Sequence, residues 1–121
     1  MRQIDGKQQK AVTAVRFSHL SSRRQALVRM CQTVNYGQVQ GVAVRDGEPV
    51  YDPAPTVVID AKLYREDEPR PELALADFDL RDDVRRLMTR LDNVKNGMIQ
   101  RIEVQAGLPR RVVLESRLKG H

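Results

Sequence analysis

The chain has 121 residues, enough for one folded domain with a core that needs no disulfide or metal staple. Apolar residues make up 40% and charged residues 31%, which predicts a small core beneath a heavily solvated surface. The net charge is +5, but there is no Trp, and the only aromatics are Phe17, Tyr36, Tyr51, Tyr64 and Phe78, too few for a nucleic-acid reader built on base stacking.

Residues 1–15 read as a flexible tail or an extra strand: "RQIDGKQQK" is polar, whereas "AVTAVRF" has strand-like spacing. A first α-β-β unit is predicted over residues 20–64. Ser21 or Ser22 offers a helix N-cap, Leu27, Cys31 and Val34 form an apolar stripe, and Tyr36-Gly37 stops the helix. "QVQGVAV" is strand-like. Val42 and Val44 alternate, but Val39, like Ile99 in the second half, breaks the period by pointing to the other face, which a bulge or a strand start tucked under the helix end would explain. Asp46-Gly47 is a hairpin turn. Pro53 and Pro55 mark an edge or loop, and "TVVIDAKLY" then puts Val57, Ile59, Ala61 and Leu63 on one side, with Asp60, Lys62 and Tyr64 on the other.

Residues 65–77, acidic and broken by two prolines, read as a surface linker. A second α-β-β unit is predicted over residues 78–118. Asp79 is the expected N-cap, with Asp82 and Asp83 in the first turn, where acids suit the helix dipole. Leu80, Val84, Leu87, Leu91 and Val94 make one apolar stripe. Asn96-Gly97 ends it, with Gly97 expected in the left-handed conformation. "MIQRIEV" and "RRVVLESRL" follow as strands around the turn "QAGL", with Val112, Leu114 and Leu118 on one face.

The two units share a phrase at an offset of sixty residues. Leu27 matches Leu87, Cys31 matches Leu91, Val34 matches Val94, Gly37 matches Gly97 and Val39 matches Ile99. Gln40 matches Gln100, Val42 matches Ile102, Val44 matches Val104, Gly47 matches Gly107 and Pro49 matches Pro109. Ten ungapped matches that keep both glycines and apolar spacing predict an internal duplication. One helix plus one hairpin cannot bury both its apolar stripe and its sheet face. Two copies can. The expected fold is therefore a single α+β domain of two tandem α-β-β units. They form one antiparallel sheet of four strands or slightly more, with both helices on one face and a pseudo-twofold between the halves.

Tyr36, Gly37, Val39, Asp46 and Gly47, echoed at Gly97, Ile99 and Gly107, form a helix, aromatic-Gly-x-Val step, strand, acidic-Gly turn and returning strand. This pattern resembles the YezD-like small bacterial proteins over about 25 residues in each half. The resemblance implies the helix-plus-hairpin unit. That family carries no settled activity, so no catalytic residue is transferred. The proline-rich stretch at residues 49–55 departs from the short hairpin the family pattern implies.

Chemistry is sparse. Cys31, the single cysteine, sits on an apolar stripe and reads as a core residue, and its isolation fits a reducing, cytoplasmic setting. His19 and His121 are the only histidines, with no Cys/His cluster beside them, so no metal site and no cofactor are expected. There is no glycine-rich phosphate loop, and the acidic pairs have structural explanations, so the chain does not read as an enzyme. No apolar run reaches the ~20 residues of a membrane span.

Charge is segmented. Residues 1–45 carry eight bases and one acid, residues 46–83 four bases and twelve acids, and residues 84–121 nine bases and three acids. With a pI near 9.8, the arginine clusters Arg23-Arg24, Arg85-Arg86 and Arg110-Arg111 suggest sequence-nonspecific nucleic-acid binding. Gln40 and Gln100, brought together by the pseudo-twofold, would join Arg45, Arg101 and Arg111 in a polar, basic platform on the open sheet face. The alternative is a protein-interaction or regulatory module that exposes a sheet edge or the acidic linker, with an acidic protein or a second copy as partner. One continuous basic face would favour the first reading, and interleaved charge the second.

Overall fold

A computed structural model describes residues 15–116. The tail or strand expected over residues 1–15 therefore lies outside the described residues except for Val15, and Leu118 lies outside them altogether.

Helix α1 (Ser22–Val34) begins where extended Ser21 accepts a hydrogen bond from the Arg24 amide at 3.2 Å. It buries Leu27, Val28, Cys31 and Val34. Helix α2 (Asp82–Val94) carries Asp82 and Asp83 in its first turn and buries Val84, Leu87, Met88 and Leu91. Its N-cap is Arg81, which supplies no side-chain cap, rather than the expected Asp79. Asp79 is committed elsewhere: its carboxylate holds Arg16 at 2.8 Å, its backbone bridges Arg16, and Leu80 donates to the Val15 carbonyl. These bonds keep the segment extended until Arg81.

The five strands are β1 (Gly37–Arg45), β2 (Glu48–Val50), β3 (Thr56–Ile59), β4 (Gly97–Gln105) and β5 (Leu108–Ser116). All pair antiparallel in one sheet of order β2-β1-β4-β5, with β3 on β1 as well. β2 and β3 pair with successive lengths of β1 on the side away from β4, so together they are the first half's returning strand. The helices cover one face. Val39, Val42 and Val44 of β1 and Ile99, Ile102 and Val104 of β4 meet them in one apolar cluster. Val39 and Ile99 therefore do not point to the other face: a bulge brings them back to the core side, with the β4–β5 register slipping between Ile99 and Arg101 and Gly41 (φ 78°) at the matching place in β1.

The helix ends correct the role expected for Gly97. The positive-φ residues at the helix ends are Asn35 (φ 65°, ψ −60°) and Lys95 (φ 59°, ψ −59°), each the centre of a γ-turn in which the Tyr36 or Asn96 amide donates to the Val34 or Val94 carbonyl. Gly37 and Gly97 are needed for close approach instead, because a Cβ on either would collide with a carbonyl oxygen of the neighbouring strand, Val58 or Glu115. Both hairpins turn on paired positive-φ residues, Asp46-Gly47 (52°, 78°) and Ala106-Gly107 (51°, 76°), as type I′ turns require.

Each helix, inner strand and turn of the second half starts and ends sixty residues after its counterpart. The central ladder maps onto itself under the same offset: Gly37 faces Val104 and Val44 faces Gly97, while Val39 faces Ile102 and Val42 faces Ile99. So do two tertiary bonds, from the Gly107 amide to the Asn35 carbonyl and from the Gly47 amide to the Lys95 carbonyl, each 2.9 Å.

The linker is pinned. Arg29 of α1 donates to the carbonyls of Glu72 and Leu75 at 3.0 and 2.6 Å. Its guanidinium also lies 4.4 Å from the centre of the Phe17 ring, which stacks on Phe78 at 4.8 Å. No helix among the described residues is long and apolar enough to cross a membrane.

Candidate functional site

Side chains on the sheet face away from the helices follow from the pairing register. Gln40 stands opposite Arg101, Gln38 opposite Glu103, and Arg111 on the far side of Glu103. The register thus sets Gln40 beside Arg101, and Glu103 between Gln38 and Arg111, while Gln100 pairs with no residue of either neighbouring strand. The polar atoms of these side chains are already engaged. Gln40 donates to Gln38 at 2.8 Å and Gln100 to Glu115 at 2.9 Å, while Arg101 and Arg111 share Glu103 at 3.3 and 3.2 Å. Arg45 lies opposite Glu48 at the end of the β1–β2 pair, at the margin of this group. Acids thus alternate with bases across the face.

The three arginine clusters do not merge into a basic surface, because each pair is split. Arg24 turns inward, with its side chain 13% exposed, and bonds the Gly47 carbonyl at 2.8 Å and Asp92 at 2.6 Å, with Glu48 at 3.7 Å. It locks α1 to the first hairpin turn and to α2 and leaves no guanidinium free for phosphate. Its neighbour Arg23 is exposed. Arg85 is held by Asp82, while Arg86 is exposed. Arg110 reaches Asp83 of α2 at 3.3 Å, while Arg111 goes to the opposite sheet face. The physical reason is spacing. Adjacent residues on a helix are about 100° apart, and Arg110 is the extra residue where the β4–β5 register slips between Glu103 and Val104, while Arg111 stays paired with Glu103.

Titration supports the same picture. Burial pushes the Cys31 thiol up to about 12, so it is a core atom and a poor nucleophile. Burial is also the main cause raising the Tyr51 phenol, whose hydroxyl donates to the Arg23 carbonyl at 2.6 Å. Asp77 is lowered to about 2, chiefly by the Ser18 amide and then by Arg16, which makes it a structural clasp. Among the described residues, no group of three or more His, Cys, Asp or Glu side chains is placed to hold a metal ion.

The feature that stands out is an exposed sheet edge, which the interaction reading names without locating it on this segment. Five of the large apolar side chains exposed among the described residues fall within residues 57–64: Val57, Val58, Ile59, Leu63 and Tyr64. Ile59 is 59% exposed and Leu63 98%. The sequence placed Val57, Ile59, Ala61 and Leu63 together on a continuing strand face, but β3 ends at Ile59. The signal was present in "TVVI": three aliphatic residues in succession cannot all reach one face of a strand.

β3 is an outer strand. The Asp60 amide donates to the Tyr36 carbonyl at 2.8 Å, in register with the β1–β3 pairing. Antiparallel pairs alternate between bonded and non-bonded, so Val58 and Thr56 direct their backbone groups to β1 while Val57 and Ile59 direct theirs outward. The outer edge of β3 thus carries backbone donors and acceptors flanked by aliphatic side chains and no charge. No protein-family profile, curated protein or solved structure matches this chain.

Proposed function

We propose that the chain is a protein-interaction module that accepts an extended protein segment as an added strand on the outer edge of β3. The observation carrying this reading is that edge itself, with outward backbone groups at Val57 and Ile59 between aliphatic side chains that are 41–59% exposed. Strand addition draws its affinity from main-chain bonds and its selectivity from alternate side chains, and this edge offers both. The interleaved charge of the open face supports an interaction surface over a polyanion track. The single buried cysteine fits a reducing compartment such as the cytoplasm.

We read the two halves as one α-β-β unit duplicated and fused. The ten matched positions and the self-mapping ladder support this. The resemblance to YezD-like proteins bears on that unit alone. A second reading, sequence-nonspecific nucleic-acid binding, draws on the exposed Arg23, Arg45 and Arg86 and the net charge of +5.

Capture from lysate with and without nuclease, using the wild type and Ile59→Lys, separates the two. Strand addition predicts protein capture that survives nuclease and is lost in Ile59→Lys. Capture that disappears with nuclease and ignores Ile59→Lys overturns it in favour of nucleic acid.

A further inference from the structure

We propose that the segment added to β3 is β3 of a second copy of this chain, paired antiparallel across a twofold axis at Val58. The inference rests on the strand-accepting reading of the edge and names its occupant.

The donor and acceptor pattern of β3 is self-complementary. With the axis at Val58, Val57 of one copy faces Ile59 of the other, and the symmetry repeats the pair. Both are the residues whose amides and carbonyls point outward, so each pair exchanges both its bonds. A register shifted by one residue would set outward groups against groups already used by β1.

Side chains agree with the same register. On the helix side of the sheet, Val57 meets Ile59, and on the open side Val58 meets its own mate. Thr56 stands opposite Asp60, where a hydroxyl can donate to a carboxylate, so the one charge at the end of the strand gains a polar partner. Pro55 then stands opposite Ala61. Proline has no amide to give, and the ladder ends there.

The equivalent strand at the other end of the sheet is built against such pairing. β5 carries Pro109, Arg110, Arg111 and Glu115, the charges and proline that natural edges use to block association. β3 carries none of these. An isologous contact through one edge only closes as a dimer and does not propagate into a fibre. The two sheets would merge into one, running β5-β4-β1-β3 and back through the second copy.

The test is sedimentation equilibrium on the full chain, with three variants. The wild type should pass from 13.8 kDa to twice that mass as concentration rises from about 1 to about 100 µM. Ile59→Lys should abolish the rise. Val57→Pro removes only an outward amide, so it should weaken dimerisation at least tenfold while far-UV circular dichroism stays unchanged. Glu115→Lys, on the opposite edge, should dimerise like the wild type.

A wild type that is monomeric at about 100 µM overturns the inference. So does a dimer that ignores both β3 variants. A monomeric chain whose capture of a different protein is lost in Ile59→Lys would sink the second copy while leaving the strand-accepting reading in place. A chain whose mass and whose capture of protein are both unchanged by Ile59→Lys would sink both.

Discussion

The two returning strands occupy the same place in their half of the molecule and have opposite characters. In the second half β5 runs unbroken from Leu108 to Ser116. In the first the same path takes twelve residues, Glu48 to Ile59, and is cut into β2 and β3 by a proline-bearing excursion. Both end against a glycine, Gly97 facing Ser116 and Gly37 facing Ile59. The interior between them follows the same sixty-residue offset in both halves. The contrast shows where the fold is constrained. A core position answers to several neighbours at once, whereas an outer strand answers to one, so the edges are free to diverge and to acquire separate uses.

The largest expected effect tests the shared interior. Leu91 and Cys31 occupy the same position in the two helices and are 0% and 1% exposed. Leu91→Ala should cost about 2–5 kcal/mol in chemical denaturation, because it leaves a cavity in a packed core. Cys31→Ala, which removes only Sγ, should cost about 1 kcal/mol. Equal losses would show that the two sites are not packed alike.

The glycines come next and bring in the edges. Gly37→Ala and Gly97→Ala each drive a methyl into a neighbouring carbonyl, so each should cost about 1–3 kcal/mol. The halves should then differ in how they yield. β3 is four residues long and can move off β1, whereas β5 is nine residues long and paired along its length. Hydrogen exchange should therefore rise locally at Val58 and Asp60 in Gly37→Ala. In Gly97→Ala the loss should be global. A global loss in both variants would mean that β3 is as firmly held as β5.

Much of this was readable in the residues. Helix stripes, inner strands, hairpin turns and the offset between halves all follow from local periodicity and turn chemistry, and those forces act within a few residues of one another. What failed was decided at a distance. Asp79 looks like an N-cap until Arg16, far away in sequence, claims it. Arg24 looks like a surface cation until Asp92 and the Gly47 carbonyl draw it in. The platform expected around Gln40, Gln100, Arg101 and Arg111 leaves out the acids: Glu103 and Glu115 engage Arg101, Arg111 and Gln100 through the β4–β5 register, and alternation alone does not set that register. The exposed β3 edge was hidden by assuming that alternating aliphatics continue a strand.

Helix capping gives a smaller contrast. Ser21 caps α1, and the equivalent Arg81 leaves α2 uncapped although its backbone is already extended, as a cap requires. Ser21→Ala should cost about 1 kcal/mol, and Arg81→Ser should gain a similar amount, both read as shifts in the denaturation midpoint. A loss on Arg81→Ser would show that its side chain holds a contact stronger than a missing cap.

The smallest effect lies in the two turns, where the backbone is the same and the residue is not. Asp46 and Ala106 both sit near φ 50°. A left-handed conformation costs an ordinary L-residue roughly 1–2 kcal/mol, and Asp and Asn recover part of it through local hydrogen bonding that Ala cannot make. Asp46 is therefore a fitting choice at this position and Ala106 a poor one. The second half tolerates it because Arg70 covers the turn, donating to the Ala106 carbonyl at 3.1 Å and packing beside Gly107. Ala106→Asn should raise stability by about 0.5 kcal/mol, and Asp46→Ala should lower it by about as much. The two changes lie at separate turns and should add in the double variant. If Ala106→Asn destabilises instead, the Arg70 lid requires a small residue beneath it, and the two turns are matched in backbone but not in packing.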